Sequence, residues 1–213
     1  MKCPWCYVGK KRLESAIALY QAKHPGNPDS FQTTWFPYQL NPGAPKSGVD
    51  KHEYLSSRFG PQRAALMQSR LDGVGKSVGI NFKFGGKTGN TKDSHRLIHL
   101  VNEKKGAEVQ NRVVDEIEKS YFEYEGDITS HDMLTASAVK AGLDETEVRG
   151  WLNSDAAESV VDQQLEVAKM HGVTGVPNFV LQNRYEIGGA QDPEAFVQVF
   201  EKIKGSETEE SST

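Results

Sequence analysis

Cysteine is nearly absent from this chain, which has two cysteines among its 213 residues, Cys3 and Cys6. A protein that relies on disulfides for stability needs several such pairs, so the composition excludes a disulfide-stapled fold. Long apolar stretches are absent as well, and nothing approaches the ~20 consecutive apolar residues that span a bilayer. No charged segment followed by an apolar one precedes Cys3, so the sequence predicts a cytoplasmic protein without a membrane partner.

An excess of charge of one sign is also lacking. The net charge is -4 at pH 7, and Glu207, Glu209 and Glu210 contribute three of the negative charges. Without these three, 26 of the 29 acidic residues remain against 25 basic ones. This balance excludes a surface that binds nucleic acid through its phosphates.

Pro4 and Trp5 separate the two cysteines in a Cys-x-x-Cys arrangement. In a reducing compartment this arrangement is more often catalytic or metal-binding than structural. The reactive thiolate, whose free pKa is ~8.5, is favoured by the N–H groups and dipole of a helix N-terminus, and Pro4 suits the first helical position. We therefore expect Cys3 to be an exposed nucleophile at the helix cap, and Cys6, on the same face, to resolve the mixed disulfide.

Two other interpretations of the cysteine pair stay open. The cysteines could be ordinary buried residues, although a disulfide closing so short a loop stabilises a fold by only ~2 kcal/mol. They could also be half of a zinc site, which needs two further ligands. His95 and His99 lie four residues apart on one predicted helix face. Because histidines on a helix rich in Lys and Arg are usually solvated or capping, we predict no metal and no resident cofactor.

A second signal lies far downstream, in Gly172–Pro177 with the sequence GVTGVP. The cis form costs an X–Pro bond only ~0.5 to 1 kcal/mol, so the Val176–Pro177 bond is a candidate cis peptide. Such a bend would turn the Val176 backbone towards an extended substrate, which would bind like an additional strand. The alternative is an ordinary trans proline at the start of a strand.

Apolar periodicity divides the chain into three parts. The first is a helix that begins at Cys3 and stops at His24-Pro25-Gly26, followed by a strand over Phe31–Leu40. Helical patterns then fill about 50–170, where Asp144 and Ser154 are predicted N-caps of the last two helices.

The third part combines strand and helix signals. Two short strands are predicted, Asn178–Gln182 and Arg184–Ile187, joined by a tight turn. A helix follows from Asp192-Pro193, and 205–213 is predicted to be disordered. Together the three parts indicate an α/β fold interrupted by a helical insertion.

Five segments, in this order along the chain, carry a resemblance to a known family: Cys3–Gly9, Asn90–Leu97, Ser120–Phe122, Gly172–Pro177 and Gly188–Gln191. Together they resemble the DsbA family of thioredoxin-fold proteins, and within it the FrnE-like branch. The resemblance implies a thioredoxin-like core built from 1–45 and 172–204, a large all-helical insertion over 46–171, and a tail over 205–213.

The resemblance also implies site residues and chemistry. The chemistry is thiol–disulfide exchange, with Cys3 attacking, Cys6 resolving, and Pro177 as the cis proline opposite them. Trp5, Val176 and Pro177 would contact the substrate, with Pro4 in support.

The resemblance places the Asn90–Leu97 segment near the active site. His95 would there contact substrate or tune the thiols. The alternative is that Thr91, Ser94 and His95 pack and cap the N-terminus of a helix.

The sequence departs from the family before the motif. Family members carry the central strand of the core sheet there, and a strand needs about 5 to 6 residues, whereas two precede Cys3. We therefore expect the fold to lack the first core strand. Two explanations stay open, a natural chain that is longer than written and a destabilised, inactive form.

The leading functional hypothesis is an oxidoreductase that acts on disulfide-containing proteins or small molecules. Kappa-class glutathione transferases and 2-hydroxychromene-2-carboxylate isomerases share this architecture but usually have serine at the first cysteine position. They provide the alternative of a glutathione-dependent transferase or isomerase. A truncated, inactive thioredoxin-like module is the third hypothesis. Glutathione is expected at most as redox partner or co-substrate, and a homodimer is left open.

Overall fold

Helices dominate the residues described in this computed structural model, 2–26 and 28–210, with side chains as far as residue 207. In chain order the elements are α1 (Pro4–Lys23), β1 (Val49–Asp50), α2 (Lys51–Phe59), α3 (Pro61–Ser77), β2 (Lys87–Thr88), α4 (Lys92–Lys105), α5 (Ala107–Phe122), α6 (His131–Lys140), α7 (Glu145–Leu152), α8 (Glu158–Met170), β3 (Asn178–Leu181), β4 (Tyr185–Gly188) and α9 (Pro193–Glu210). Within this part of the chain, no helix is both long and apolar enough to cross a bilayer.

The elements form two units. Residues 2–4 and 32–174 make up the first unit, and residues 5–26, 28–31 and 175–210 make up the second. The second unit is therefore assembled from two segments that are far apart in the sequence, with a mainly helical segment between them. The predicted fold class, an α/β fold interrupted by a helical insertion, is confirmed.

The second unit has a core of aromatic side chains between α1, α9 and the β3–β4 hairpin. Tyr20 and Phe200 meet edge to face with ring centres 5.6 Å apart, and Phe179 meets Phe196 in the same way at 4.9 Å. Ala16 and Ile187 complete the buried centre of this cluster. Burying each large apolar side chain stabilises the unit by about 1.5 to 3 kcal/mol.

The conformation of two turn residues allows β3 and β4 to pair as a hairpin. Phe179 pairs with Ile187 in antiparallel register, and Arg184 donates its backbone N–H to the carbonyl of Leu181 at 3.0 Å. The two residues between them, Gln182 and Asn183, both have positive φ, 49° and 54°. Two successive left-handed residues give a type I′ turn, whose twist matches that of the paired strands. The two predicted strands are thus confirmed.

The end of α9 corrects the predicted disordered tail. The helix continues through residues 205–210, while 211–213 lie outside the described residues. A single glycine such as Gly205 costs a helix about 1 kcal/mol relative to alanine, which does not end a helix that packs well. In addition, Gln182 in the hairpin turn donates a hydrogen bond to Glu207 at 2.8 Å.

The first unit is built mainly from α4 to α8, which pack against one another, together with α2, α3 and the short antiparallel pair β1–β2. The apolar residues of these five helices recur every three or four positions and so share one face. Fully or nearly fully buried among them are Leu97, Ile98, Val101, Val113, Ile117, Leu134, Ala138, Val148, Leu152 and Val161.

The strand predicted over Phe31–Leu40 is not formed. Among the described residues, this segment has no neighbouring strand to supply a ladder of hydrogen bonds. Side-chain amides of α5 replace the ladder: Gln110 accepts from the Trp35 N–H at 2.9 Å and donates to its carbonyl at 3.0 Å. Asn111 donates to the Thr33 carbonyl at 2.7 Å. The backbone is thus satisfied without a sheet.

The two predicted N-caps of α7 and α8 have different outcomes. Asp144 accepts the Glu147 N–H at 2.9 Å and caps α7, as predicted. Ser154 was the wrong residue for α8, which begins only after Ala157. Ser154 instead accepts the Ala156 N–H at 3.2 Å inside the preceding loop. Arg96 donates to the carbonyls of Ser154 and Ala156 in that loop and of Trp151 at the end of α7, and so holds the loop in a non-helical conformation.

Candidate active site

The two cysteines lie at the N-terminus of α1, one just before the helix and one in its first turn. Pro4 is the first helical residue, as predicted, Cys3 directly precedes it, and Cys6 is the third residue of the helix. The N–H groups of this turn have no partner within the helix, and the positive end of the dipole lies here. The turn therefore provides the electrostatic setting that favours a thiolate.

The exposure predicted for Cys3 is wrong. Cys3 and Cys6 are each only 8% exposed, whereas Pro4 and Trp5 are half-buried. The burial continues along the helix, where every residue from Cys6 to Lys10 is buried. The intervening Pro4 and Trp5 are thus the more accessible part of the motif.

The Val176–Pro177 bond is cis, as the sequence predicted. Within the second unit the loop around Pro177 packs on α1 at Gly9, three residues after Cys6. A Cβ on Gly9 would lie 3.0 Å from Pro177 Cγ and 3.0 Å from Phe179 Cζ. Residues three apart share a helix face, so the loop with the cis bond covers the face of α1 that carries Cys6.

Three charged residues on α1 that were not predicted from the sequence form ion pairs with one another. Lys10 is buried one turn beyond Cys6 and forms an ion pair with Glu14, to which Lys11 also donates at 3.0 Å. Burial alone would raise the pKa of Glu14, but the hydrogen bonds and charges of the two lysines lower it. Cys6, Lys10 and Glu14 follow one another at intervals of four residues, a spacing that could have predicted from the sequence that they share one face of α1.

His95 lies on α4 and is buried at 5% exposure. Its Nε2–H donates to the carbonyl of Tyr38 at 3.0 Å, and burial lowers the pKa of His95 to about 3. The side chain is therefore neutral at pH 7 and ties the extended 31–40 segment to α4. A role for His95 towards substrate stays a prediction.

The start of α4 is capped by a residue other than those proposed. Thr91 makes no side-chain capping bond, and Ser94 donates to the Thr91 carbonyl at 2.8 Å. Asn90 accepts the Lys92 N–H at 2.8 Å through its side chain. An Asx-type bond of this kind needs the oxygen two residues before the amide, which Asn90 supplies and Thr91 does not.

Acid is expected to destabilise the protein through His95. Its pKa of about 3 in the folded state is below the ordinary 6.5, so the unfolded chain takes up the proton first. The contribution of neutral His95 to stability is full above pH 6.5 and is lost as the pH falls towards 3. Between pH 7 and pH 5 the loss should be about 2 kcal/mol.

Urea unfolding of wild type and of His95→Gln at several pH values would measure this loss. The glutamine amide can keep the hydrogen bond to Tyr38 but does not titrate. The difference in stability between the two proteins should therefore change between pH 7 and pH 5. A constant difference would contradict the assignment.

The two histidines that were considered as metal ligands have separate partners. His99 lies 3.7 Å from Glu103, while His95 binds the Tyr38 carbonyl. Within residues 2–26 and 28–210, no three His, Cys, Asp or Glu side chains come together in a way that could hold a metal ion.

Comparison with known proteins identifies a family that this chain matches. The chain matches the DSBA-like thioredoxin domain over residues 1–201. YwbO, an uncharacterised protein of Bacillus subtilis (strain 168), is 25% identical over 209 residues, which cover 96% of this chain and 92% of YwbO.

Two solved structures are also similar. The crystal structure of a probable DsbA oxidoreductase from Streptomyces coelicolor is 30% identical, with a TM-score of 0.78 and coverage of 95% of this chain and 86% of that one. A 2-hydroxychromene-2-carboxylate isomerase shares the fold at 14% identity and a TM-score of 0.59, covering 99% and 93%. The family match and the oxidoreductase structure support an oxidoreductase in general and confirm the predicted resemblance to the DsbA family. The chain belongs to the family of DSBA-like thioredoxin domains.

Proposed function

We propose that this protein is a thiol–disulfide oxidoreductase of the FrnE-like branch, with Cys3 and Cys6 as its reactive dithiol. One observation carries the proposal: the chain's two cysteines lie at the N-terminus of a 20-residue helix, Cys3 directly before it and Cys6 in its first turn. Neither stability nor metal binding explains this placement. A disulfide over so short a loop adds about 2 kcal/mol, and a zinc site needs two further ligands.

The reaction proceeds by two exchanges. The Cys3 thiolate attacks one sulfur of a substrate disulfide, whose S–S bond breaks, and the leaving sulfur departs with the electron pair as a thiolate. Cys6 then loses its proton to solvent and attacks Cys3 Sγ, which releases the second substrate thiolate. The protein dithiol is oxidised to a disulfide, and the substrate is reduced to two thiols. The reverse sequence oxidises a substrate.

The substrate contacts are assigned to Trp5, Val176 and Pro177. Trp5 is more exposed than either cysteine, so an approaching chain meets it first. Val176 is half-buried in the loop that packs on α1 one turn after Cys6. Val176 lies outside helix and strand, directly before Pro177 and β3, where an extended peptide would bind alongside it like an additional strand. Substrates would be disulfide-containing proteins or small molecules in the cytoplasm, with glutathione as a redox partner.

The glutathione-dependent isomerase or transferase reaction is the weaker candidate. The isomerase of known structure is 14% identical, which indicates a shared fold. An isomerase of this kind has no need for a second thiol, whereas Cys6 in the same helical turn is what disulfide release requires.

A redox titration of the intact protein would test the proposal. The reduced protein, mixed with an excess of a small disulfide, should lose the mass of two hydrogens as Cys3 and Cys6 join. With dithiothreitol as reductant it should also accelerate the reduction of insulin. A protein that stays reduced, or that ends with two separate adducts, would contradict the proposal.

A further inference from the structure

Lys2, the residue before Cys3, is held in place within the first unit. Its Nζ donates a hydrogen bond to the Gly89 carbonyl at 2.9 Å and lies 5.5 Å from the centre of the Tyr54 ring. The acceptor cannot shift easily, because a Cβ on Gly89 would lie 2.5 Å from Thr129 Cγ2. The Lys2 ammonium group is therefore held in one position by the protein instead of moving freely in solvent.

Tyr54 contacts both the Lys2 ammonium group and a second cation, the guanidinium group of Arg58. Its hydroxyl accepts a hydrogen bond from Asn41 at 2.8 Å and another from Arg58 at 3.4 Å. Burial alone would raise the pKa of Tyr54, but the bond from Asn41 and the charges of Lys2 and Arg58 lower it. Burial lowers the pKa of Lys2, the charge of Tyr54 raises it and the charge of Arg58 lowers it. Arg58 thus acts on both groups as a nearby positive charge.

The positive charge at this cluster has no acidic counterpart. The ion pairs of the first unit, as far as its residues are described, include neither Lys2 nor Arg58. The contacts of Lys2 are a carbonyl and a ring, and those of Arg58 are the Tyr54 hydroxyl and the ring of Phe59. Two cations around one phenol favour the arrival of an anion, which would relieve their repulsion.

We infer that Lys2, Tyr54 and Arg58 form an anion-recognition site beside Cys3, which selects small disulfides bearing a carboxylate near the sulfur. The inference rests on the proposed function and narrows its substrate class. Lys2 and Cys3 are consecutive residues whose Cα atoms are about 3.8 Å apart, and on this adjacency we place at the cluster a carboxylate two or three bonds from the sulfur that Cys3 attacks. The leaving thiolate adds further negative charge, which the same cations stabilise.

Three small disulfides that differ in charge provide the test: dithiodipropionate with two carboxylates, hydroxyethyl disulfide without charge, and cystamine with two ammonium groups. The rate at which each oxidises the reduced protein is divided by its rate with dithiothreitol, which removes differences in intrinsic reactivity. The carboxylate disulfide should react about tenfold faster than the neutral one, and cystamine more slowly than either. The preference should shrink as salt is added.

Substitutions distinguish recognition of the carboxylate from a general effect of the cations on the reactivity of the Cys3 thiol. Lys2→Met and Arg58→Met should each reduce the charge preference several-fold, whereas Lys2→Arg should keep it. Lys140→Met, which removes the same charge from an exposed position on α6, should leave it unchanged. A lower thiol pKa caused by Lys2 would accelerate all three disulfides alike, so the ratio of rates reports recognition alone.

Two failures can be told apart. If all three disulfides oxidise the protein at equal normalised rates, or if Lys2→Met leaves the preference intact, the anion site is refuted and the oxidoreductase function stands. If none of them oxidises the protein, the proposed function itself is refuted.

Discussion

Replacing Cys3 by serine is expected to abolish thiol–disulfide exchange, and replacing Cys6 by serine is expected to halt it at a mixed disulfide on Cys3. A serine hydroxyl is not ionised near neutral pH and cannot attack a disulfide, so the loss in Cys3→Ser should be about a thousandfold or more. In Cys6→Ser the first attack is intact, but nothing within the motif can release the bound substrate sulfur.

The different roles of the two cysteines follow from their positions relative to the start of α1. Cys3 precedes the helix and faces its unpaired N–H groups, whereas Cys6 is inside the helix and already three residues from the cap. The stabilisation of a thiolate falls off within the first turn, so it is stronger at Cys3. Pro4 contributes by lacking an N–H that would need a partner.

Intact mass after acid quenching distinguishes these outcomes. Cys6→Ser should gain one substrate fragment, Cys3→Ser should gain none on the time scale of the wild-type reaction, and the double serine variant gives the background. Serine differs from cysteine by one atom, so thermal unfolding of the three variants should resemble that of the wild type. Equal exchange by wild type and Cys3→Ser would refute the assignment of the nucleophile.

Features that depend on neighbouring residues were predictable from the sequence. The start of α1 follows from Pro4, and the hairpin follows from two apolar runs around Gln182 and Asn183. Each of these depends on the conformational preferences of a few residues, which are visible in the sequence itself. The cis bond at Val176–Pro177, in contrast, was predicted because the Gly172–Pro177 segment occurs together with the distant cysteine pair.

Features that depend on distant partners were not predictable in this way. The alternation in Phe31–Leu40 is typical of a strand, and the burial still alternates from Thr33 to Phe36. Whether an extended segment joins a sheet depends on a neighbouring strand, and here Gln110 and Asn111 occupy its hydrogen-bonding groups instead. The burial of Cys3 likewise depends on what packs around it, which periodicity does not report.

Polar residues with several long-range partners were the least visible from sequence. Asn90–Leu97 was identified by resemblance, and His95 was singled out there for its chemistry. The structure gives these residues partners that the resemblance did not indicate: Asn90 binds the Lys92 N–H, His95 binds the Tyr38 carbonyl and Arg96 binds a distant loop. Such residues look like ordinary surface positions until their partners are known.

Replacing Arg96 by methionine is expected to destabilise the protein by about 3 to 5 kcal/mol. Arg96 is 6% exposed and donates to the carbonyls of Trp151, Ser154 and Ala156, as well as to the carboxylate of Asp93 at 2.8 Å. Methionine fills a similar volume but donates no hydrogen bond. Each of the three carbonyls would then lose this hydrogen bond in a region where little water can replace it, whereas Asp93 keeps its contact with His131 at 3.0 Å.

The same argument predicts a graded series at position 96. Lysine keeps the charge but lacks the planar fork that reaches several acceptors at once, so Arg96→Lys should recover only part of the loss. Arg112→Met is the matched control, because Arg112 is 49% exposed and pairs with Glu108 on the surface of the same unit. Its loss should stay within about 1 kcal/mol. Urea unfolding at pH 7 measures all three, as a shift of midpoint at constant slope. If Arg96→Met and Arg112→Met cost the same, Arg96 does not anchor the loop before α8, and the late start of that helix has another cause.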